Sequence, residues 1–332
     1  MKAYIKSISC YLPENVLTNE QLSQEFPEWS IEKIMTKIGV SRRHIAAQDE
    51  TATDMAVAAA QKLFDSGIDK QTIDYVLFCT QSPDYFLPTS ACIIQDRLGL
   101  SKNIGALDFN QGCSGYIYGL SLAKGLLCAG IAKNILLLTA DTYTKHLHPK
   151  DKGNRTIFGD AASATLVSAE GFAEIGQFSL GTDGSGAGNL IIQTGAARYP
   201  EKMNKITYDS DNNPLSPDYI YMNGSEIFAF TLEAVPDLVH NTLEQNTLQK
   251  DNIALFIFHQ ANQYMLDFLR KKIKIDAEKF YICMSETGNT VSSTIPIAIV
   301  EAMKDGHLKS GMRSLLAGFG VGYSWGGVVL KF

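Results

Sequence analysis

The chain has 332 residues, 45% of them hydrophobic and 19% charged, with a formal net charge of −6. That balance supports a sizeable core in one large domain or two fused ones, and it argues against a nucleic-acid binder, which needs a basic surplus to neutralise phosphates. The start, MKAYIKSISCYLPENV, carries no long apolar run after its lysines, and no stretch approaches the roughly 18 apolar residues of a membrane span, so a cytoplasmic protein without membrane partners is expected.

In chain order, 54–66 (DMAVAAAQKLFDS) reads as an amphipathic helix opened by Asp54, and 73–79 (IDYVLFC) as a buried strand. Residues 88–99 are helical, with Pro88 near the start and Gly99 as a stop signal. GALDF (105–109) is a short strand, 114–130 an apolar helix ending at Gly130, and NILLLTAD (134–141) a buried strand. This alternation implies an α/β sheet covered on both faces. The second half repeats the plan: a helix over 226–245 with a kink expected at Pro236, a strand at 254–261, and the helix NQYMLDFLRKK. A further helix follows Asn289, and two strands surround a glycine-rich turn at the end. The repeated element order suggests an internal duplication into 1–170 and 171–332.

Six scattered cysteines, Cys10, Cys79, Cys92, Cys113, Cys128 and Cys283, read as free thiols, most of them core residues. His146 and His148 have no cysteine pair or HExxH nearby, so no metal is expected. DGSGAGN (183–189) lacks the lysine of a phosphate loop and reads as a surface turn.

Three positions carry chemistry. Cys113, in DFNQGCSGYIYG, lies between a strand and a helix start, flanked by Gly112 and Gly115. Unpaired N–H groups and the helix dipole there favour thiolate, and a thiolate suits transient acyl carriage; the competing reading is a buried structural cysteine. His259 ends the strand ALFIF, where open α/β sheets place ligands; it is otherwise a satisfied turn histidine. Asn289, between a glycine and a helix start, is either a helix cap or a neutral donor toward an enolate. The GFGVG turn at 318–322 offers main-chain N–H groups for an oxyanion.

Together with YLPENVLTN (11–19), IGVSRRHIA (38–46), GCSG (112–115), IFGDAASA (157–164), GSEIF (224–228), HQAN (259–262), GNTVSSTIP (288–296) and FGVGYSWG (319–326), these residues resemble the beta-ketoacyl-acyl-carrier-protein synthase III family of the thiolase superfamily, nearly end to end. The resemblance implies an α/β, thiolase-like, five-layered αβαβα fold of two similar halves, the cysteine in the first and the histidine and asparagine in the second, and a cytoplasmic homodimer. It implies decarboxylative condensation of an acyl thioester with malonyl-carrier protein, of the kind that initiates fatty acids. Cys113 would hold the acyl group, and His259 and Asn289 would bind the malonyl thioester and its enolate. Phe319, Gly320, Val321 and Gly322 would line the site, and Leu87 would stand where a partner-subunit side chain closes the acyl pocket.

Where the family clamps coenzyme A with arginines and an asparagine, this chain carries Lys37, Lys152 (with Arg155 three residues on) and Ser225, and Tyr264 follows HQAN in place of an arginine. Lysine lacks arginine's planar fork, so donors on coenzyme A and on the phosphopantetheine of an acyl-carrier protein both stay open. Neither group would be permanently bound. Arg270, Lys271 and Lys272 form a basic patch suited to an acidic carrier protein. An acyltransferase or ketosynthase of a specialised pathway, making an ester, amide or unusual ketone for a surface glycan or secondary metabolite, is the alternative.

Overall fold

The computed structural model describes residues 2–332, and its elements start and stop where capping chemistry allows. The first half contains β1 (Tyr4–Tyr11), β2 (Asn15–Thr18), α1 (Asn19–Glu25), α2 (Ile31–Ile38) and β3 (Arg42–Ile45), with β2 and β3 paired. It continues through α3 (Ala52–Asp65), β4 (Tyr75–Cys79), α4 (Ser90–Arg97), β5 (Gly105–Phe109), α5 (Gly115–Cys128), β6 (Asn134–Asp141) and β7 (Ala161–Ser168). The second half opens with β8 (Ala173–Thr182) and the short strands β9 (Leu190–Ile191), β10 (Thr207–Tyr208), β11 (Pro214–Leu215) and β12 (Tyr221–Met222). It ends with α6 (Gly224–Gln245), β13 (Leu255–Phe258), α7 (Gln263–Ile273), β14 (Phe280–Tyr281), α8 (Thr294–Lys304), β15 (Arg313–Gly320) and β16 (Ser324–Lys331).

Several boundaries differ from the sequence expectation for identifiable reasons. Helix α3 opens two residues before Asp54, because Thr51 and Asp54 form a reciprocal capping box: the Thr51 hydroxyl accepts the Asp54 N–H at 3.2 Å, and the Asp54 carboxylate accepts the Thr51 N–H at 2.7 Å. Helix α4 is shorter than 88–99. Its first N–H groups, on Ser90 and Ala91, donate to the distant Asp108 carboxylate at 2.6 and 2.7 Å, a cap invisible in the local sequence. Helix α6 continues through Pro236. Of the six cysteines, Cys79 and Cys113 are buried, Cys10, Cys92 and Cys283 are partly buried, with Cys283 packed against the core, and Cys128 is exposed.

Ten strands form one sheet in the order β14-β13-β15-β16-β8-β1-β7-β6-β4-β5. Outward from the central β8–β1 pair, β1-β7-β6-β4-β5 on one side repeats as β8-β16-β15-β13-β14 on the other. Strand directions repeat too: β4 is parallel to β5 and β6 as β13 is to β14 and β15, and the inner pairings are antiparallel in both halves.

Strands β4, β6, β13 and β15 are buried on both faces, which explains their continuous apolar runs. On β6, Ile135 and Leu137 join one cluster, and Leu136, Leu138 and Ala140 join another beneath α3 and α4. On β13, Leu255 and Ile257 face that same first cluster, and Phe256 and Phe258 pack beneath α6 and α7. The shared cluster holds α5 and α8: α5 touches β4, β6 and β7 of one half and β8, β15 and β16 of the other, and α8 touches β1, β7 and β13. The layers are therefore αβαβα, the thiolase-like arrangement. No helix among the described residues is long and apolar enough to cross a membrane.

Leu137 is fully buried in the middle layer, where α5 passes so close that a Cβ at Gly119 would meet its Cδ1 at 2.5 Å. Leu137→Ala is expected to lower unfolding free energy by about 2–5 kcal/mol in a urea titration; a loss below about 1 kcal/mol would show that this layer does not carry the core.

Candidate active site

Cys113 lies between the end of β5 and the start of α5, 6% exposed. Two glycines permit the close packing around it. A Cβ at Gly320 would stand 2.7 Å from Cys113 Cβ and 2.9 Å from Sγ, and one at Gly112 would meet Val321 Cγ1 at 2.5 Å. The GFGVG turn is thus pressed against the thiol, and the N–H groups of Val321 and of Cys113 itself interact with the sulfur.

The ionisation differs from the sequence expectation. Burial, followed by the charge of Asp141, pushes the Cys113 thiol up to about 12, and these outweigh the two N–H groups. Cys113 is therefore a protonated thiol rather than a standing thiolate.

His259 directly follows β13 and is buried. Its Nδ1 lies 2.7 Å from the Thr294 hydroxyl in the first turn of α8, and its ring meets Phe319 edge-on with centroids 5.8 Å apart. Burial lowers the imidazole to about 3, so the ring is neutral at physiological pH. Asn289 is also buried, with Nδ2 3.5 Å from His259 Nε2. Its Oδ1 is occupied by the Val291 N–H at 2.9 Å, which leaves the amide N–H groups as its free function. The site therefore presents a thiol, a neutral imidazole and an amide donor, with no standing charge on any of the three.

The Asn289 turn is held by the opposite half. Asn289 N–H donates to the Ile157 carbonyl at 2.9 Å, and Gly159 N–H returns a bond to the Asn289 carbonyl at 3.1 Å. Within the turn Gly288 sits at φ 70° and Val291 at φ 54°. The latter is unusual for a β-branched residue, and such strain persists only where neighbours over-determine it. Around the thiol an apolar cluster gathers Tyr143, Leu147, Phe158, Leu190, Ile220 and Val291.

Phe319 thus adjoins His259, Gly320 and Val321 adjoin Cys113, and Gly322 closes the same turn. The remaining candidates lie elsewhere. Leu87 is 81% exposed on the loop before α4, beside exposed Tyr85 and Phe86. Lys37 is exposed in the last turn of α2. Lys152 is paired with Glu28 at 2.7 Å and Arg155 with Glu25, so both cations are already committed. Ser225 donates to the Asn223 side chain at 2.8 Å. Arg270 bonds the Ile275 carbonyl at 3.1 Å, while Lys271 and Lys272 are exposed in the last turn of α7. Sequence alone does not single out Thr294 and Asp141: Thr294 lies inside GNTVSSTIP, and Asp141 shows only as a carboxylate closing an apolar strand. Among the described residues no group of three or more His, Cys, Asp or Glu side chains is arranged to hold a metal.

Comparison with known proteins fits this geometry. Residues 107–184 match the family model for 3-oxoacyl-[acyl-carrier-protein] synthase III, and residues 243–332 the model for its C-terminal part. The chain is 39% identical over 323 residues to a beta-ketoacyl-[acyl-carrier-protein] synthase III of Clostridium perfringens, covering 97% of this chain and 96% of that one. A crystal structure of a 3-oxoacyl-(acyl-carrier-protein) synthase III superposes with a TM-score of 0.97 at 50% identity, with full coverage of both chains. The 3-oxoacyl-(acyl-carrier protein) synthase of Burkholderia xenovorans gives 0.90 at 36% identity, covering 99% of this chain and 94% of that one. With the cysteine, histidine and asparagine gathered between two repeated half-sheets, the chain belongs to the 3-oxoacyl-[acyl-carrier-protein] synthase III family of condensing enzymes.

Proposed function

We propose that the protein joins an acyl thioester to malonyl-carrier protein by decarboxylative Claisen condensation, with the acyl group held on Cys113. The observation that carries this reading is the neutral His259–Asn289 pair, linked to the thiol through Phe319 and Gly320 on one side and Val291 on the other. A hydrolase needs a basic histidine to activate water, and an imidazole lowered to about 3 is a poor base at neutral pH. Two neutral donors suit a different task. They polarise a thioester carbonyl and hold the enolate that forms when the adjacent carboxylate leaves as carbon dioxide. With Nδ1 engaged by the Thr294 hydroxyl at 2.7 Å, Nε2 is the ring nitrogen on the Asn289 side, and the proposed role needs the ring proton there.

In the first step the Cys113 sulfur displaces the donor thiol, and the thiol proton leaves with the departing sulfur. In the second, malonyl-carrier protein loses carbon dioxide and the enolate carbon attacks the acyl-cysteine carbonyl. The oxyanion is held by the N–H groups of Cys113 and Val321, and collapse returns the Cys113 sulfur, which takes up a proton.

The commitment of Lys152 to Glu28 and of Arg155 to Glu25 supports an acyl-carrier-protein donor over coenzyme A, since a coenzyme A phosphate would have to displace a carboxylate from each cation. Exposed Tyr85, Phe86 and Leu87, together with the free edge of β5, support a homodimer in which this loop meets the second copy.

Four expectations follow. His259→Ala and Asn289→Ala should each cut carbon dioxide release from malonyl-carrier protein by about 100-fold or more while Cys113 still acylates; equal loss of both steps would overturn the division of roles. Gly320→Ala should slow acylation by about 100-fold with the fold retained, because its methyl occupies the thiol's space; wild-type rates would show that the turn does not confine the sulfur. Nitrogen-15 NMR should find the His259 ring neutral down to about pH 5; a midpoint near the ordinary histidine value would contradict the burial argument. Carrier-bound acyl donors should give a kcat/KM about tenfold or more above the matching coenzyme A thioesters, and the reverse preference would remove the carrier-donor assignment.

A further inference from the structure

Asp141 closes β6 and is only 1% exposed, yet the condensation scheme does not use it. A buried carboxylate needs its oxygens occupied, and here the occupants come from both halves of the molecule. Oδ1 accepts the Gln81 N–H at 2.8 Å, just beyond β4. Oδ2 accepts the Ser292 N–H at 3.4 Å and a short bond from the Ser292 hydroxyl.

Both contacts lead to the active site. Ser292 is the third residue after Asn289, in the turn where Val291 is held at positive φ. Gln81 accepts the Tyr143 hydroxyl, donates to Asn110 at 2.9 Å, and stands against Gly112 beside Cys113. Its titratable neighbours are Cys79 on β4, Cys113 ahead of α5, Tyr143 after β6 and Asp160 ahead of β7, none of which is a cation.

We propose that Asp141 is a positioning residue whose carboxylate ties the Asn289 turn of the second half to the Gln81 loop beside Cys113 in the first, setting the reach between the enolate-binding pair and the sulfur. The inference rests on the decarboxylative role given to His259 and Asn289. Burial, with Asp160 adding to it, pushes Asp141 up to about 7 against its hydrogen bonds from Ser292 and Gln81. Its charge in turn is the second cause that raises Cys113. The residue thus touches both chemical steps: it holds the turn for decarboxylation, and it restrains ionisation of the thiol.

Asp141→Asn separates these effects. An amide places a donor nitrogen where one carboxylate oxygen stood, so it cannot accept at both the Gln81 and the Ser292 N–H positions, and it carries no charge. Two readouts are taken on the full-length protein: iodoacetamide alkylation of Cys113 followed by peptide mass, and carbon dioxide release from malonyl-carrier protein. Asp141→Asn is expected to alkylate Cys113 about threefold faster near pH 8, and to release carbon dioxide about tenfold more slowly. Ser292→Ala, which removes a donor that favours the ionised Asp141 carboxylate, is expected to slow carbon dioxide release by about threefold or more, with a smaller gain in alkylation than Asp141→Asn. The proposal is overturned if folded Asp141→Asn matches wild type in both readouts, or if folded Ser292→Ala releases carbon dioxide at the wild-type rate. Absence of carbon dioxide release from the wild-type enzyme would instead remove the decarboxylative reading, and unchanged alkylation in Asp141→Asn would then still overturn the role of Asp141.

Discussion

Two half-sheets bury their inner faces against the same pair of helices, α5 and α8, and the site depends on that shared layer. Each of these helices starts at a catalytic candidate: Cys113 and Ser114 lead into α5, and Asn289 through Ser293 lead into α8. Fixing the helices between the sheets therefore fixes the two chemical groups relative to each other. His259 joins them because β13 lies parallel to β15, whose end runs into the GFGVG turn beside Cys113. Core packing and site geometry are one constraint here, since the apolar cluster that orients α5 and α8 also sets where their first residues stand.

Burial at the meeting point then determines the chemistry. A site this enclosed penalises standing charge, so it is built from a neutral imidazole, an amide and a protonated thiol. In the proposed condensation charge would develop only during reaction, on an oxyanion or an enolate, where preorganised N–H donors have their greatest effect. The exception is Asp141, whose buried carboxylate is balanced by hydrogen bonds rather than by a cation.

Much of this was legible in the sequence. The apolar runs of β4, β6 and β13, the glycine stops, and the ordered cysteine, HQAN and GNT segments identified the layers and the three central residues. What was not legible depends on contacts between distant positions. Asp108 caps α4 from 17 and 18 residues away, and the Asn289 turn is paired to Ile157 and Gly159 across the molecule. The lowered thiol pKa expected for a helix N-terminus was reversed because local sequence does not report burial or the approach of Asp141. Likewise Lys152 and Arg155 stand in sequence at phosphate-clamp positions, and only the fold brings Glu28 and Glu25 to them. Periodicity marks which residues face a core, but it does not reveal which polar groups meet there.

The most direct test of the account is intact-mass analysis of the wild-type protein after incubation with a panel of acyl thioesters, followed by malonyl-carrier protein. The account predicts a single acyl adduct that maps to Cys113 and is discharged by malonyl-carrier protein with release of carbon dioxide. An adduct on another cysteine, or a Cys113 adduct that malonyl-carrier protein does not discharge, would contradict it.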